Sequence, residues 1–251
     1  MWRNSHLFCL TCIVLCLMLA ENAAGQIVLA AHGRQVNSYG SASSNTGSDS
    51  DFNTETAPDS GPWNDLVGVA VRAGTSTADG FASQDSAITA TQIRGDLNAD
   101  AFVGILGEEN DMASSGSNSY FEVLFEVAKH SSYTLNVSGY FSNNGMGYLI
   151  LDEYLPIGDS LIYYDVLDQP SISETVSLIP SQQYRLIVDV SASGLLDFNG
   201  GSPDGRAGIA FTLTQVVPEP SAVVLAVAMA MGLTQYRAGR GAAERLSVFE
   251  N

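Results

Sequence analysis

Between residues 26 and 217 the large apolar residues recur at every second position, and no segment sustains the three-to-four-residue repeat of an amphipathic helix. Tyr133, Leu135, Val137, Gly139 and Phe141 alternate with Thr134, Asn136, Ser138 and Tyr140. Successive side chains of an extended chain point to opposite faces, so this spacing defines a strand with one buried and one solvated face. Phe121, Val123, Phe125 and Val127 repeat the pattern with Glu122 and Glu126 on the other face, as do Tyr184, Leu186, Val188 and Val190, then Ile209, Phe211 and Leu213. Shorter runs at residues 66–71, 147–151, 161–166 and 172–178 fit further strands. Turn signals separate them: Asn143-Asn144-Gly145, Pro156-Ile157-Gly158, Gln169-Pro170 and Asn199-Gly200-Gly201. Many short strands joined by polar turns predict an all-β domain, an antiparallel β-sandwich of jelly-roll-like type, over residues 26–217. Roughly 190 residues suffice for one sizeable core, with too little apolar material for two.

Two stretches interrupt the alternation. Residues 37–65 are dominated by Ser, Asn, Gly, Asp and Thr and predict a long exposed loop or a weakly ordered edge. Residues 112–119, with Ser114-Ser115-Gly116-Ser117, predict a flexible connection ahead of the strand at Tyr120.

Carboxylate spacing offers two places for a cation. Asp96, Asn98 and Asp100 begin like a wrapped Ca²⁺ loop and so resemble a dockerin, but the sixth position, where a sharp turn needs Gly, is Ala101 and the twelfth is Gly107. Alternation accounts for the segment better: Ile93, Gly95, Leu97, Ala99, Ala101 and Val103 face one way, and Arg94, Asp96, Asn98, Asp100 and Phe102 the other. The loop of residues 197–205 is the better candidate, because Asp197, Asn199 and Asp204 could converge there with backbone carbonyls on a structural Ca²⁺. An ordinary polar turn, in which Asp and Asn cap their own backbone, explains the same residues. No other cofactor is indicated.

Charge excludes some partners. Residues 26–217 hold 23 Asp plus Glu against 6 Lys plus Arg, so the net charge of −17 resides there. Nucleic acid and anionic lipid both need a basic patch, and only Lys129 and five scattered arginines are available. Catalytic signatures are equally sparse. His32 and His130 are the only histidines after residue 25, there is no Gly-x-Ser-x-Gly elbow and no His-Glu-x-x-His helix. Glu122 and Glu126, on one face of a strand, stand about 13 Å apart, beyond the separation of a glycosidase carboxylate pair. Tyr140, Tyr163 and Tyr164 could form a flat platform for sugar rings.

The ends of the chain speak of destination. Arg3, an apolar run from Leu7 to Ala20 broken only by Thr11, and the small residues Ala23-Ala24-Gly25 predict a signal peptide over residues 1–25, cut by signal peptidase near Gln26. All three cysteines, Cys9, Cys12 and Cys16, lie within it, which leaves the exported domain without disulfides or thiolate sites. At the other end, Val217-Pro218-Glu219-Pro220-Ser221 breaks any strand or helix, since each proline fixes φ and lacks an N–H. An apolar run from Ala222 to Leu233 and then Arg237, Arg240 and Arg245 complete residues 218–251. Those 12 apolar residues span about 18 Å as a helix, against about 30 Å of hydrocarbon, a gap that snorkelling of Arg237 narrows.

This order of motif, apolar helix and basic terminus resembles the PEP-CTERM sorting signal of exported bacterial proteins. The resemblance implies a single transmembrane sorting helix, recognition by an exosortase, a membrane-embedded cysteine peptidase, and cleavage near Pro-Glu-Pro. It departs in its dispersed arginines and in the further tail that carries Glu244 and Glu250. The chain would be the substrate of that peptidase and not itself an enzyme. The expected function is therefore that of an exported cell-surface or extracellular-matrix protein, transiently membrane-anchored. A carbohydrate-binding module for envelope polysaccharide is the alternative, and a glycan hydrolase the third class. A calcium site in the 197–205 loop predicts a melting temperature that rises with added Ca²⁺, and one unchanged across millimolar Ca²⁺ removes the site.

Overall fold

A computed structural model of the chain describes residues 26–106, 111–155, 158–165, 171–197 and 199–216. Among these the alternating segments form strands and there is no helix. In chain order the strands are β1 (Ile27–Ser44), β2 (Gly47–Thr56), β3 (Trp63–Ala73), β4 (Ser76–Ile88), β5 (Gln92–Gly104), β6 (Met112–Val127), β7 (Ser131–Asn143), β8 (Gly145–Glu153), β9 (Ser160–Asp165), β10 (Ser171–Leu178), β11 (Gln183–Asp197), β12 (Gly200–Ser202) and β13 (Asp204–Gln215). One sheet runs β2-β1-β6-β11-β8-β9, with short β12 also on β11; the other runs β10-β7-β13-β5-β4-β3. Each pairing is antiparallel, and the sheets pack face to face as a sandwich.

The predicted inward residues fill the interface. Phe121, Val123 and Phe125 of β6 and Leu186 and Val188 of β11 meet Leu97 of β5, Leu135 of β7 and Ile209, Phe211 and Leu213 of β13 in the main core. Phe121 and Phe211 touch edge to face across the sheets with centroids 5.1 Å apart, an arrangement that favours the ring quadrupoles. Gly95 makes room for this, since a Cβ there would stand 2.5 Å from the Phe211 ring. The segment from Ile93 to Val103 is a strand in which Ile93, Gly95, Leu97, Ala99, Ala101 and Val103 are buried, as alternation predicts.

Towards β3 and β4 the interface changes character. Here the interior is mostly Val, Ala, Ser and Gly: Ala42, Val69, Val71, Ala78 and Ala113 in one cluster, Val36, Val67 and Ala82 in another. The sheets approach so closely that serine hydroxyls of one donate to backbone carbonyls of the other. Ser117 Oγ reaches Asp100 O at 2.8 Å, Ser76 Oγ reaches Ser43 O at 2.7 Å, and Ser115 Oγ reaches Asp79 O. A Cβ on Gly80 would lie 2.5 Å from Ser38 Oγ and 2.9 Å from Gly116 O.

Two expectations are corrected by this interface. Residues 112–119 are the first half of β6, paired on both sides, and not a flexible connection. Residues 37–65 complete β1, form β2 and open β3 instead of making a long loop; only the edge character was legible, because β2 is exposed along its whole length. Both stretches read as loops because Ser and Gly are weak strand formers in isolation, whereas a thin interface requires small side chains. The turn at Asn143-Asn144-Gly145 carries the chain from one sheet to the other; Asn143 has φ 51, and a Cβ on Gly145 would collide with Arg206 O at 1.9 Å. Pro156-Ile157 and Gln169-Pro170 lie outside the described residues.

Overpacking should therefore be severe at the thin end. Gly80→Val is expected to lose about 1–3 kcal/mol of stability in urea unfolding, with an unchanged slope against denaturant.

Candidate binding groove

The outward residues of the second sheet form a grid set by its register. Strand β13 lies between β5 and β7, so Gly208 sits between Asn98 and Tyr140, Ala210 between Asp96 and Ser138, and Thr212 between Arg94 and Asn136. Strand β10 continues the rows, with Ser171 beside Ser138 and Ser173 beside Asn136. Small residues on the middle strand with longer ones on both flanks leave a trough along β13. Its larger part, about 580 Å³, runs over Ala210 and Thr212 between Arg94 and Asp96 on one side and Asn136, Ser138 and Ser173 on the other. A smaller part of about 290 Å³ continues over Gly208 to Tyr140 and Asn98.

Hydrogen bonds fix the walls. Tyr140 OH donates to Asn98 Oδ1 at 3.2 Å, and Asn98 Nδ2 donates to Asp96 Oδ1 at 3.0 Å. On the far side Ser173 Oγ donates to Asn136 Oδ1 at 2.7 Å, and Asn136 Nδ2 to Thr212 Oγ1 at 3.3 Å. The Tyr140 ring lies on the backbone of Gly208, where a Cβ would stand 2.4 Å from Cε1, yet the residue keeps 52% of its surface exposed. Partial burial raises the pKa of its hydroxyl, and the charges of Asp100 and Asp96 add to the effect, so it remains a donor. Beyond the groove, Arg206 stacks on Phe102 at 4.8 Å, and burial raises the pKa of Asp100 against the opposing charge of Arg206. The groove thus presents hydroxyls, amides, one carboxylate, one guanidinium and one aromatic face, a set suited to recognising a polar ligand.

Other predicted residues fall elsewhere. Tyr140 lines the groove and Tyr163 packs against the main core, while the Tyr164 side chain is outside the described set. Glu122 accepts from Tyr120 OH at 2.8 Å and Glu126 from Gln183 Nε2 at 3.3 Å, both on the outer face of the opposite sheet. In the 197–205 loop, Asp197 Oδ1 accepts the Asn199 N–H at 2.8 Å, the hydrogen bond of a self-capped turn, and Asp204 Oδ1 accepts from Asn143 Nδ2 at 2.6 Å. Among the described residues no three His, Cys, Asp or Glu side chains cluster so as to hold a metal ion. Val217, Pro218, Glu219, Pro220, Ser221, Ala222, Leu233, Arg237 and Arg240 lie outside the described residues, as does the segment 1–25. No protein-family model matches this chain, and no curated protein matches its sequence.

Sequence reasoning missed a buried polar cluster. Arg34 of β1 is fully buried, donates through Nη1 to Ser86 Oγ at 3.1 Å and through Nη2 to the carbonyl of Asp59, and lies 5.8 Å from the Trp63 ring centroid. Gln84 Nε2 also donates to Ser86 Oγ, at 3.1 Å. No period-two argument finds an arginine on an inward position. His130 is exposed as expected, but His32 is half-buried, and burial followed by the charge of Arg34 lowers its pKa below 6.5. The unfolded chain therefore binds a proton at His32 more readily than the folded one. Stability from this residue is intact above about pH 6.5 and falls as pH drops toward the lower folded value. His32→Gln is expected to flatten the decline in melting temperature between neutral and mildly acidic pH.

Proposed function

We propose that this chain is an exported, non-enzymatic protein of the cell surface or extracellular matrix, processed by signal peptidase at its N-terminus and by an exosortase-type peptidase at its C-terminus. The observation that carries the reading is where the described strands end. Strand β13 pairs on both sides through Thr214 and ends at Gln215, two residues before Val217-Pro218-Glu219-Pro220-Ser221. The Pro-Glu-Pro motif thus follows closely on the last described strand, and in this reading the peptidase cuts there, clear of the sandwich. In this reading the apolar run from Ala222 to Leu233 lies in the membrane, and Arg237 and Arg240 stay on the cytoplasmic side. The folded domain faces outward.

A jelly roll is the finer architecture we assign. Taken in order, β5, β6, β7, β8, β9, β10, β11 and β13 make eight strands, and the sheets then read 1-8-3-6 and 2-7-4-5. That alternation between sheets supports the assignment. Strands β1 to β4 extend both sheets beyond it.

The groove favours a second reading, in which the domain binds envelope polysaccharide. Fractionation of the native host with mass spectrometry of the mature termini tests the first. The extracellular form is expected to begin near Gln26 and to lack everything after about Ser221. Replacing Pro218, Glu219 and Pro220 by alanine should leave the protein membrane-held. Recovery of intact Asn251 from the extracellular pool would show that the tail is not a processed signal.

A further inference from the structure

We propose that the groove over Gly208 and Ala210 holds the interior of an uncharged polysaccharide, one sugar face resting on Tyr140 and the hydroxyls of the next sugars along the chain on Asp96, Arg94 and Asn136. The inference rests on the polysaccharide-binding reading above and names the class of glycan and the residues.

Three observations narrow the occupant. First, the floor of the groove lies on the face of the sheet, and the edge strand β10 contributes only its far wall, through Ser171, Ile172 and Ser173. Strand β13, its floor, pairs with β5 on one side and β7 on the other, so its main-chain donors and acceptors are engaged in the ladders. A peptide bound by strand addition needs a free edge, and this floor offers none. Recognition must come from side chains, and those present are hydroxyls, amides, a carboxylate and a guanidinium. Such groups match a ligand that carries many hydroxyls.

Second, the exposed aromatic residue of the groove, Tyr140, is held in place before any ligand arrives. Tyr140 is pressed onto Gly208 and tied to Asn98, and the residue still exposes 52% of its surface. A fixed, exposed ring beside polar groups suits the apolar face of a pyranose, and fixing it beforehand lowers the entropy lost on binding. The chain Tyr140, Asn98, Asp96 holds three of these groups in register before any ligand arrives.

Third, charge excludes acidic glycans. Arg94 is the one cationic residue among those described that line the groove, it stands beside Asp96 on the same wall, and its Nη2 is 3.8 Å from Asp85. The chain around it is strongly acidic, with a net charge of −17. A polyanion would gain one already matched guanidinium against repulsion from the whole domain. The two parts of the groove share Asp96, Ser138 and Ala210, so it is continuous from Thr212 to Gly208, about 14 Å along the strand. A continuous groove accepts the middle of a chain.

Affinity electrophoresis of the full-length protein in gels containing neutral polysaccharides (a β-glucan, a mannan) or acidic ones (alginate, polygalacturonate) tests this. Retardation by at least one neutral polysaccharide is expected, unchanged between about 50 mM and 500 mM salt. Tyr140→Ala should weaken it about tenfold or more. Tyr140→Phe keeps the ring and should retain most binding, which separates loss of the platform from loss of the fold. Asp96→Ala should weaken binding as well. Retardation by the acidic polymers that fades with salt, or neutral binding indifferent to Tyr140→Ala, would overturn this inference while leaving polysaccharide binding in place. No retardation by any of the polymers would overturn both.

Discussion

The separation of the two sheets, set by the size of the inward side chains, is the constraint on which the domain depends. Where Phe121 meets Phe211, rings fill the interface and stability comes from burying apolar area. Where β1 and the first half of β6 face β3 and β4, the interior is mostly Ser, Gly, Ala and Val, and the sheets are close enough for side-chain hydroxyls to bond backbone carbonyls across the gap. A serine buried without a partner is costly, but one that donates across the interface both fills a small space and satisfies its hydroxyl. The thin end also carries the cluster of Arg34, Gln84 and Ser86, where hydrogen bonds to Ser86 Oγ and the Asp59 carbonyl offset part of the cost of burying a guanidinium.

The same strands that close the core shape the outside. Strand β13 contributes Ile209, Phe211 and Leu213 inward while its outward neighbours Gly208 and Ala210 are small. One strand thereby anchors the main core and floors the groove, and the alternation that fixes the first role dictates the second. The walls, Asp96 and Asn98 on β5 and Ser138 and Tyr140 on β7, are placed by the register of strands whose other faces are buried. A slip of one residue would exchange core and groove, so the groove is as firmly specified as the core.

Much of this was legible in the sequence, and for physical reasons. The strong strands announce themselves because Phe, Val, Leu and Ile at every second position have only one stable use, and the segment from Ile93 to Val103 was readable as a strand in spite of its Asp-Asn-Asp spacing. The serine-rich half was not readable. Its stabilising feature is a relation between two sheets distant in sequence, Ser117 with Asp100 or Ser76 with Ser43, and a local composition of Ser, Gly and Asn looks the same in a loop. The outward residues of β5 and β7 could be listed, but their meeting across β13 could not, since strand order is not written in any single segment. Tyr140 was recognisable as an exposed ring; the glycine that makes room for it was not.

Amide hydrogen exchange in β6 tests most directly whether the small-residue interface is structure. Ala113, Ser115, Ser117 and Ser119 occupy inward positions on a strand paired with β1 on one side and β11 on the other. The account predicts that the amides of residues 113–119 are protected to the same degree as those of Phe121, Val123 and Phe125, and open with them in one cooperative unit. Exchange over residues 113–119 at the rate of an unstructured chain, with protection confined to the aromatic half, would contradict it.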